Sequence, residues 1–291
     1  MSGEEPVRGG PSEEDILKAL HDSGYLMEQD VATQFERFGY HVVTNKAFED
    51  NEEGKSREID VSAVKRVLFD EEQKIAVYVE FIIECKNTNN PFVFIKRPKN
   101  ASDLHHNVKE IIFPKKQYYE VIENTSYYRD GFNFFGFNEH HYYSKQRLKA
   151  VQFSRIDRKG SGWQANHSGV YDALLMPLAK AFAARRDQIP RHENSGDWTY
   201  VWMLIPTVVI RGEIYEVDAS EQPPTIARTD HVTFLREFKG KQAEGKFLFE
   251  FVSESGLDEF VNRKVESSAA AFCRIVESDP KRLTTTMHRK N

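Results

Sequence analysis

Four residues in the first part of the chain carry side chains suited to metal-assisted chemistry: Glu28, Asp60, Glu84 and Lys86. The pattern predicts a helix around Glu28 and a strand that contains Asp60. Glu84 and Lys86 stand near the end of a second predicted strand, in the run Ile-Ile-Glu-Cys-Lys. Because strand side chains alternate, these last two project from the same face. Taken singly, each residue also has an ordinary explanation as a solvated or strand-end charge.

A predicted hairpin between the two strands brings the carboxylates together. Pairing Phe69 with Ile75 places Asp60 directly opposite Glu84, with Cβ atoms about 4.5–5.5 Å apart. Facing carboxylates repel each other, and a divalent cation between them reverses the sign of that interaction. A set of oxygen ligands suits Mg²⁺ or Mn²⁺ rather than zinc. Lys86 would then lie beside the ion, able to orient a water or stabilise negative charge.

This arrangement resembles the PD-(D/E)xK nuclease superfamily, the fold of type II restriction enzymes, junction resolvases and repair nucleases. The resemblance lies in Asp60, the twenty-three residues that follow, Glu84-Cys85-Lys86, and the preceding helical Glu28. It covers mainly residues 25–95. Residues 202–218 and 247–260 look similar to little-characterised bacterial proteins of the same fold. The sequence has Ile59 where the superfamily name has Pro, a position that varies widely.

The resemblance implies a role for each residue of the motif. Asp60 and Glu84 would be metal ligands, the Cys85 carbonyl a further ligand, Glu28 an accessory ligand and Lys86 the catalytic lysine. The implied activity is that of a Mg²⁺- or Mn²⁺-dependent endonuclease. It would hydrolyse phosphodiester bonds of nucleic acid, with DNA the expected substrate, in bacterial defence or repair.

The order of predicted elements favours one α/β domain with a large insertion. A helix precedes three strands, and an insertion, a second helix, further strands and a last helix follow. The resemblance implies a restriction-endonuclease-like core, in which helices flank a central mixed sheet. We expect a disordered leader at 1–11, a single domain over 12–291, and an aromatic and basic insertion at about 87–165. The later elements predicted by periodicity are helices at 109–123, 168–186 and 257–277, and a strand at 199–210.

Composition excludes several classes of protein. The chain has 291 residues, of which 40% are hydrophobic and 29% charged, so it has enough apolar material for a core. No run of 18 apolar residues exists, and we expect no membrane-spanning helix. The acidic start lacks an apolar stretch, and two cysteines make no disulfide framework, so the expected location is the cytoplasm. A net charge of −5 argues against a uniformly basic nucleic-acid binder.

Charge is nevertheless unevenly distributed along the chain. Residues 1–72 carry eight Lys and Arg against eighteen Asp and Glu, whereas residues 141–191 carry ten against three. The basic stretch interleaves cations with aromatic residues, as in surfaces that hold a nucleic-acid backbone and stack its bases. Solvated faces, or an aromatic insertion packed on the main sheet, are the alternatives. The candidate nucleic-acid contacts are Lys145, Arg147, Lys149, Arg155, Arg158 and Lys159.

Other functions stay open at this stage. His105-His106 and His140-His141 suggest metal ligands, but adjacent side chains point apart and rarely serve one zinc ion. A catalytically inactive nucleic-acid-binding or interaction subunit of a larger defence complex is the main alternative to a nuclease, and a homodimer or a partner subunit fits either function. A third class is an interaction protein whose acidic residues 1–72 bind a basic partner.

Overall fold

The computed structural model describes residues 10–50, 54–104, 110–167, 169–189, 197–240, 244–285 and 287–289. Most of the expected leader and the pair His105-His106 lie outside these ranges. Within them, no helix is both long and apolar enough to cross a membrane.

The first half of the chain begins with two helices, followed by strands. Ser12 caps the first helix, with its hydroxyl accepting from the amide of Asp15 and the Asp15 carboxylate accepting from the amide of Ser12. Gly24 separates the two helices in a left-handed conformation at φ 89°. The elements are α1 (Glu13–Ser23), α2 (Tyr25–Arg37), β1 (His41–Asp50), β2 (Lys55–Asp70), β3 (Ile75–Asn87), β4 (Phe92–Pro98), α3 (Ala101–Leu104), β5 (Ile111–Ile112), β6 (Tyr118–Ile122), β7 (Thr125–Arg129) and α4 (Gly131–Phe134).

The second half holds one long helix and most of the remaining strands. Short 3₁₀ turns occur at Phe137–Glu139, Glu254–Gly256 and Pro280–Leu283, and a π-helix spans Glu259–Val265. The elements are β8 (Leu148–Lys159), β9 (Gly162–Asn166), α5 (Val170–Gln188), β10 (Thr199–Arg211), β11 (Ile214–Asp218), β12 (Thr225–Thr229), β13 (His231–Lys239), β14 (Glu244–Ser253), α6 (Glu266–Ser278) and β15 (Met287–Arg289).

A mixed twelve-stranded sheet organises the described residues. Its order is β1-β2-β3-β10-β14-β13-β8-β4-β11-β12, with β5 beside β10 and β9 beside β8. Strands β1, β2 and β3 pair antiparallel, whereas β10 runs parallel to both β3 and β14. A separate small sheet has the order β15-β6-β7. The expected α/β class, with a central mixed sheet flanked by helices, is confirmed.

Two hydrophobic clusters lie on the two faces of the large sheet. One joins α2 and α6 to β3 through residues such as Val31, Phe35, Phe81 and Phe272, all fully buried. The other surrounds α5 and includes Phe94 and Phe251. Alternation along β3 explains the division, because Phe81 and Ile83 face α2 whereas Ile82 faces α5. Full burial of each large side chain stabilises the fold by about 1.5–3 kcal/mol.

Buried ion pairs anchor α5 to the sheet. Lys180 Nζ lies 2.8 Å from Oδ2 of Asp50, whose side chain is fully buried at the end of β1. One turn further along, Arg185 Nε lies 2.6 Å from Oε2 of Glu80, on β3. Asp50 also pairs with Arg57 and Glu80 with Lys46, so each buried carboxylate is held by two cations. These contacts fix the position of α5 relative to β3, and with it the surroundings of the end of β3.

The structure differs from two of the predicted helices. The helix predicted at 109–123 is wrong for its described part, which forms β5 and β6, because Pro114 between them disfavours a helix. The helix predicted at 257–277 is interrupted by the π-helical turn before α6. Within the region 87–165, the strands β4, β8 and β9 belong to the large sheet.

Candidate functional site

The pairing of β2 with β3 brings Asp60 to the end of β3 that carries Glu84. The expected pair of Phe69 with Ile75 is wrong, since Phe69 pairs with Ala76. A bulge between Arg66 and Leu68 then shifts the register by one residue. Beyond the bulge the pairs run down to Val61 opposite Ile83, which is the predicted register. Asp60 and Glu84 are the next residues in each strand, and the strands are antiparallel as predicted.

A hydrogen bond from the backbone of β3 holds the carboxylate of Asp60. Oδ2 of Asp60 accepts from the amide of Cys85 at 2.6 Å. The Cys85 side chain is buried in the core cluster beneath α2. Cys85 therefore contacts Asp60 through its backbone amide. Burial raises the pKa of Asp60, although the Cys85 amide and the charge of Lys86 oppose that shift.

Glu84 and Lys86 form an ion pair on one face of β3, as the alternation predicts. Lys86 Nζ lies 2.7 Å from Glu84 Oε1, and the exposed fractions of the side chains are 36% and 11%. Burial raises the pKa of Glu84; Lys86 opposes this effect, and Asp60 adds to it. Burial lowers the pKa of Lys86, but the attraction of Glu84 and Asp60 outweighs that effect and the net shift is upward. The lysine is therefore held as an ammonium ion.

Glu28 completes the cluster from the first turn of α2. Its pKa is raised to about 7, first by burial and then by the negative charges of Asp60 and Glu84. Lys86 and a hydrogen bond with the side chain of Asn45 act in the opposite direction. The electrostatic coupling means that all four residues predicted from the sequence lie in one site.

Asn45 belongs to this site and was not predicted from the sequence. It lies on β1 at φ 51°, in the left-handed region that Asn tolerates better than most residues. The β1–β2 ladder has Thr44 opposite Val61 and Lys46 opposite Ile59, which leaves Asn45 beside Asp60. Such a backbone conformation within a strand is stored strain of the kind found at functional sites. The available signal was a single Asn in a β-rich run, which is too common to single out.

Arg211 braces the same end of the sheet. At the end of β10, it hydrogen-bonds Glu254 with Nε and Nη2 at 2.6 and 2.5 Å, and Asp30 of α2 with Nη2 at 2.7 Å. In the adjacent turn, a Cβ on Gly212 would meet the carbonyl oxygen of Thr88 at 2.5 Å, so glycine is required. These contacts hold α2 and the segment after β3 against β10.

Three carboxylates at the site offer oxygen ligands for a metal ion. Glu28, Asp60 and Glu84 carry the donors that Mg²⁺ and Mn²⁺ prefer. Burial is the main cause that raises the pKa of each, and a bound cation would favour their charged forms. Across the described ranges, no group of three His, Cys, Asp or Glu side chains is arranged to hold an ion as it stands. The chemistry of the donors fits, while Oε1 of Glu84 is paired with Lys86 Nζ at 2.7 Å.

The basic residues predicted to contact nucleic acid do not form one patch. Lys145 and Arg147 precede β8, whereas Arg158 and Lys159 lie at its opposite end, in the turn to β9. These four are exposed, and the partly exposed Lys149 and Arg155 are paired with acids, Lys149 Nζ with Asp103 at 2.7 Å and Arg155 Nε with Asp157 at 2.6 Å. Arg155 lines a cavity together with Lys86, which connects the basic stretch to the acidic site.

The described histidine pair has separate surroundings. His141 is buried and packs edge-on against Phe132 and Phe137, with ring centroids 5.6 Å apart in both cases. His140 is exposed, and its carbonyl oxygen accepts from Ser268. This arrangement supports the packing interpretation of the pair rather than a zinc site.

Comparisons with protein-family models, with curated proteins and with solved structures find no significant match to this chain.

Proposed function

We propose that this protein is a metal-dependent nuclease that hydrolyses phosphodiester bonds, with DNA as its substrate. The observation that carries the proposal is the convergence of Glu28, Asp60, Glu84 and Lys86 at one end of the sheet. They come from three separate elements, and a purely structural sheet has no reason to gather three partly buried carboxylates beside one ammonium. A role in bacterial defence or repair is the corresponding biological proposal.

The local topology supports the same conclusion. The helix with Glu28 precedes two antiparallel pairings, and the strand that ends in Glu84-Cys85-Lys86 is third in order. After α5, β10 pairs in parallel with that strand along its whole length, from Ile75 opposite Thr199 to Asn87 opposite Arg211. The order helix, strand, strand with Asp and strand with Glu-x-Lys is the context on which the resemblance to PD-(D/E)xK nucleases depends.

Each residue then has a definite task. Asp60, oriented by the Cys85 amide, and Glu84 would hold Mg²⁺ or Mn²⁺, with Glu28 as an accessory ligand. The bound ion would supply polarisation of the phosphoryl oxygen and a lowered pKa for water. Lys86, which is paired with Glu84 in this structure, would position the attacking water and stabilise negative charge that develops on the phosphate.

The second candidate is a nucleic-acid-binding subunit without catalysis. Two observations favour it. Lys86 is paired with Glu84 at 2.7 Å, and no preassembled group of three ligands is found among the described residues. In such a protein the ion pair would be a permanent structural contact. Metal addition would then change neither stability nor binding.

The decisive experiment incubates plasmid and single-stranded DNA with the purified protein and Mg²⁺. The variants are Asp60→Ala, Glu84→Gln and, as a matched control, Glu58→Gln, since Glu58 is an exposed acid on the same strand. We expect cleavage by the wild type and the control, and none by the two site variants or in EDTA. Binding without cleavage by the wild type would support the second candidate instead.

A further inference from the structure

A cavity of about 410 Å³ opens beside the candidate site. It lies between the end of β3, the strand β8 and the first turns of α5. Its lining combines two cations, Lys86 and Arg155, with the apolar side chains of Phe92, Val170 and Leu174. Small-molecule sites in proteins occupy about 300–1,000 Å³ and combine an apolar lining with a few placed polar groups. This cavity matches that description in size and chemistry.

Arg155, one of the two cations in the lining, is held in a fixed orientation. Its Nε and Nη2 lie 2.6 and 2.9 Å from the two carboxylate oxygens of Asp157. Asp157 is itself fixed, because it accepts from Asn90 at 3.0 Å and from Asn166 at 2.7 Å. A guanidinium has five N–H donors, and Asp157 takes two of them. The oriented cation is therefore suited to a phosphate, which guanidinium groups bind through paired hydrogen bonds.

The apolar lining is preformed as well. Phe92, Val170 and Leu174 are 3%, 6% and 3% exposed, so the core around α5 fixes their positions. A heterocyclic base that enters the cavity is shielded from water by this lining and by Ala173. Phe92 lies directly opposite Arg155 in the β4–β8 ladder, so a cation and an apolar surface adjoin each other, as the phosphate and the base of one nucleotide do.

We propose that this cavity receives one unpaired nucleotide of the strand to be cut, with its phosphate at Arg155 and Lys86 and its base against Phe92, Val170 and Leu174. The proposal rests on the nucleic-acid function proposed above and adds a substrate class to it. A base within a duplex is stacked and paired, so it cannot enter a cavity of one-nucleotide size without being extruded. The preferred substrate is therefore single-stranded DNA, or a duplex with an unpaired nucleotide next to the scissile bond.

Two variants change the cavity without changing the metal ligands. Ala173→Phe fills it from an exposed position on α5, and Arg155→Gln removes the cation. The matched controls are Ala270→Phe and Arg274→Gln, at exposed positions of α6, which packs on the opposite face of the sheet. Thermal unfolding verifies that all four variants are folded. Binding is measured in EDTA, by fluorescence anisotropy, for a single strand, its perfect duplex and the duplex with one unpaired nucleotide.

We expect wild type and controls to bind the single strand and the duplex with the unpaired nucleotide more tightly than the perfect duplex. Ala173→Phe should weaken binding of the first two by about tenfold and leave the perfect duplex unchanged. A single neutral methylphosphonate, moved along the strand, should weaken wild-type binding by about tenfold at one position. Its effect at that position should be clearly smaller in Arg155→Gln, in which Lys86 is the only one of the two cations left.

The outcomes separate this inference from the proposed activity. Equal effects of Ala173→Phe on single strand and perfect duplex, or no effect on either, would overturn the cavity assignment even if the wild type cleaves DNA. The predicted binding pattern without any cleavage in Mg²⁺ would refute the nuclease activity and leave the cavity assignment standing. A wild type that binds none of the three oligonucleotides would refute both.

Discussion

The carboxylate of Asp60 accepts a 2.6 Å hydrogen bond from the backbone amide of Cys85, on the neighbouring strand. This contact sets the direction of one carboxylate oxygen and leaves the other available to a ligand. It also separates two effects of the Asp60 side chain, its role as a hydrogen-bond acceptor and its negative charge.

Asp60→Asn and Asp60→Ala should therefore differ in stability. Asn keeps an oxygen acceptor for the Cys85 amide and removes a carboxylate whose pKa burial raises, so the metal-free protein should be no less stable at pH 8. Ala leaves that amide without its acceptor and should cost about 1–3 kcal/mol. Urea unfolding in EDTA measures both values. A loss of stability in Asn as large as in Ala would mean that the charge itself is needed, as in a structural ion pair.

Magnesium should stabilise the wild type and not the Asp60→Asn variant. Binding to the folded state alone raises the free energy of unfolding by about 1–3 kcal/mol at tens to hundreds of times the dissociation constant. Thermal unfolding with and without Mg²⁺ measures the effect, and Ca²⁺ tests whether the site accepts a larger ion. A wild type that is insensitive to Mg²⁺ would favour the binding-subunit interpretation.

Glu28→Gln should change how stability depends on pH. The pKa of Glu28 in the folded protein is about 7, above its ordinary value of 4.5, so folding favours the protonated form. The contribution of Glu28 to the free energy of unfolding is therefore fully present below pH 4.5 and is lost as pH rises to about 7. Gln imitates the protonated form and should raise stability at pH 8 by about 1 kcal/mol, allowing for solvent screening at this partly exposed position.

Urea unfolding of metal-free protein at pH 5 and pH 8 checks this expectation. The pKa values of Asp60 and Glu84 are raised too, so the wild type should lose stability as pH rises from 5 to 8. Glu36→Gln, at an exposed position of the same helix, is the control and should follow the wild type. A Glu28→Gln variant that is no more stable than wild type at pH 8 would contradict the raised pKa.

Lys86→Met should abolish cleavage and preserve the fold. The ammonium is partly exposed and bonded to Glu84, so its loss removes a positive charge from the site without opening a cavity in the core. Loss of one group that stabilises transition-state charge typically lowers the rate by about a hundredfold or more. Single-turnover cleavage with Mg²⁺ measures the effect, and Lys239→Met, on the exposed end of β13, is the control. Undiminished cleavage would remove Lys86 from the mechanism.

Arg158→Glu combined with Lys159→Glu should weaken DNA binding and reduce its dependence on salt. Both residues are exposed in the turn from β8 to β9, and Arg158 lies 5.9 Å above the ring of Trp163, which is 64% exposed. If each contacts one phosphate, the slope of log affinity against log salt should fall by about 1.8 for duplex DNA. Arg155 is left intact here, because a reversed charge would repel Asp157. An unchanged slope would locate the backbone contacts elsewhere.

The sequence predicted the β2–β3 register near Asp60 better than it predicted the rest of the sheet. Periodicity located α2 and α5 closely, since local hydrophobic spacing determines such helices. The β2–β3 register was predicted from a turn that is wrong by one residue, and the bulge near Val67 compensates for the error. The sequence of β2 alone does not indicate a bulge, because a bulge arises from the pairing of two strands. The predicted register next to Asp60 and Glu84 is therefore correct, although the pair of Phe69 with Ile75 from which it was derived is wrong.

The strand at 199–210 was predicted and forms β10. The pairings between distant strands were not predicted: β4 pairs with β8 and β11, and β13 meets β8 at Phe234 opposite Ala150. The pattern of a single segment does not reveal its partner. The place of Asn45 in the site was not predicted for a different reason. Its positive φ depends on the surrounding structure rather than on residue type alone.

The parallel pairing of β3 with β10 has a consequence for the synthesis of the protein. The edge of β3 that faces β10 is hydrogen-bonded only once Thr199 and the residues after it have been synthesised, since Thr199 pairs with Ile75. The chain therefore closes a very long loop to complete the pairing of the strand that bears Glu84 and Lys86. Pairings of such high contact order form slowly. A nascent chain that still lacks β10 presents β3 as an apolar edge, open to aggregation and to chaperones. Lys86 lies opposite Ile210 and therefore acquires its final surroundings only after nearly three quarters of the chain has left the ribosome.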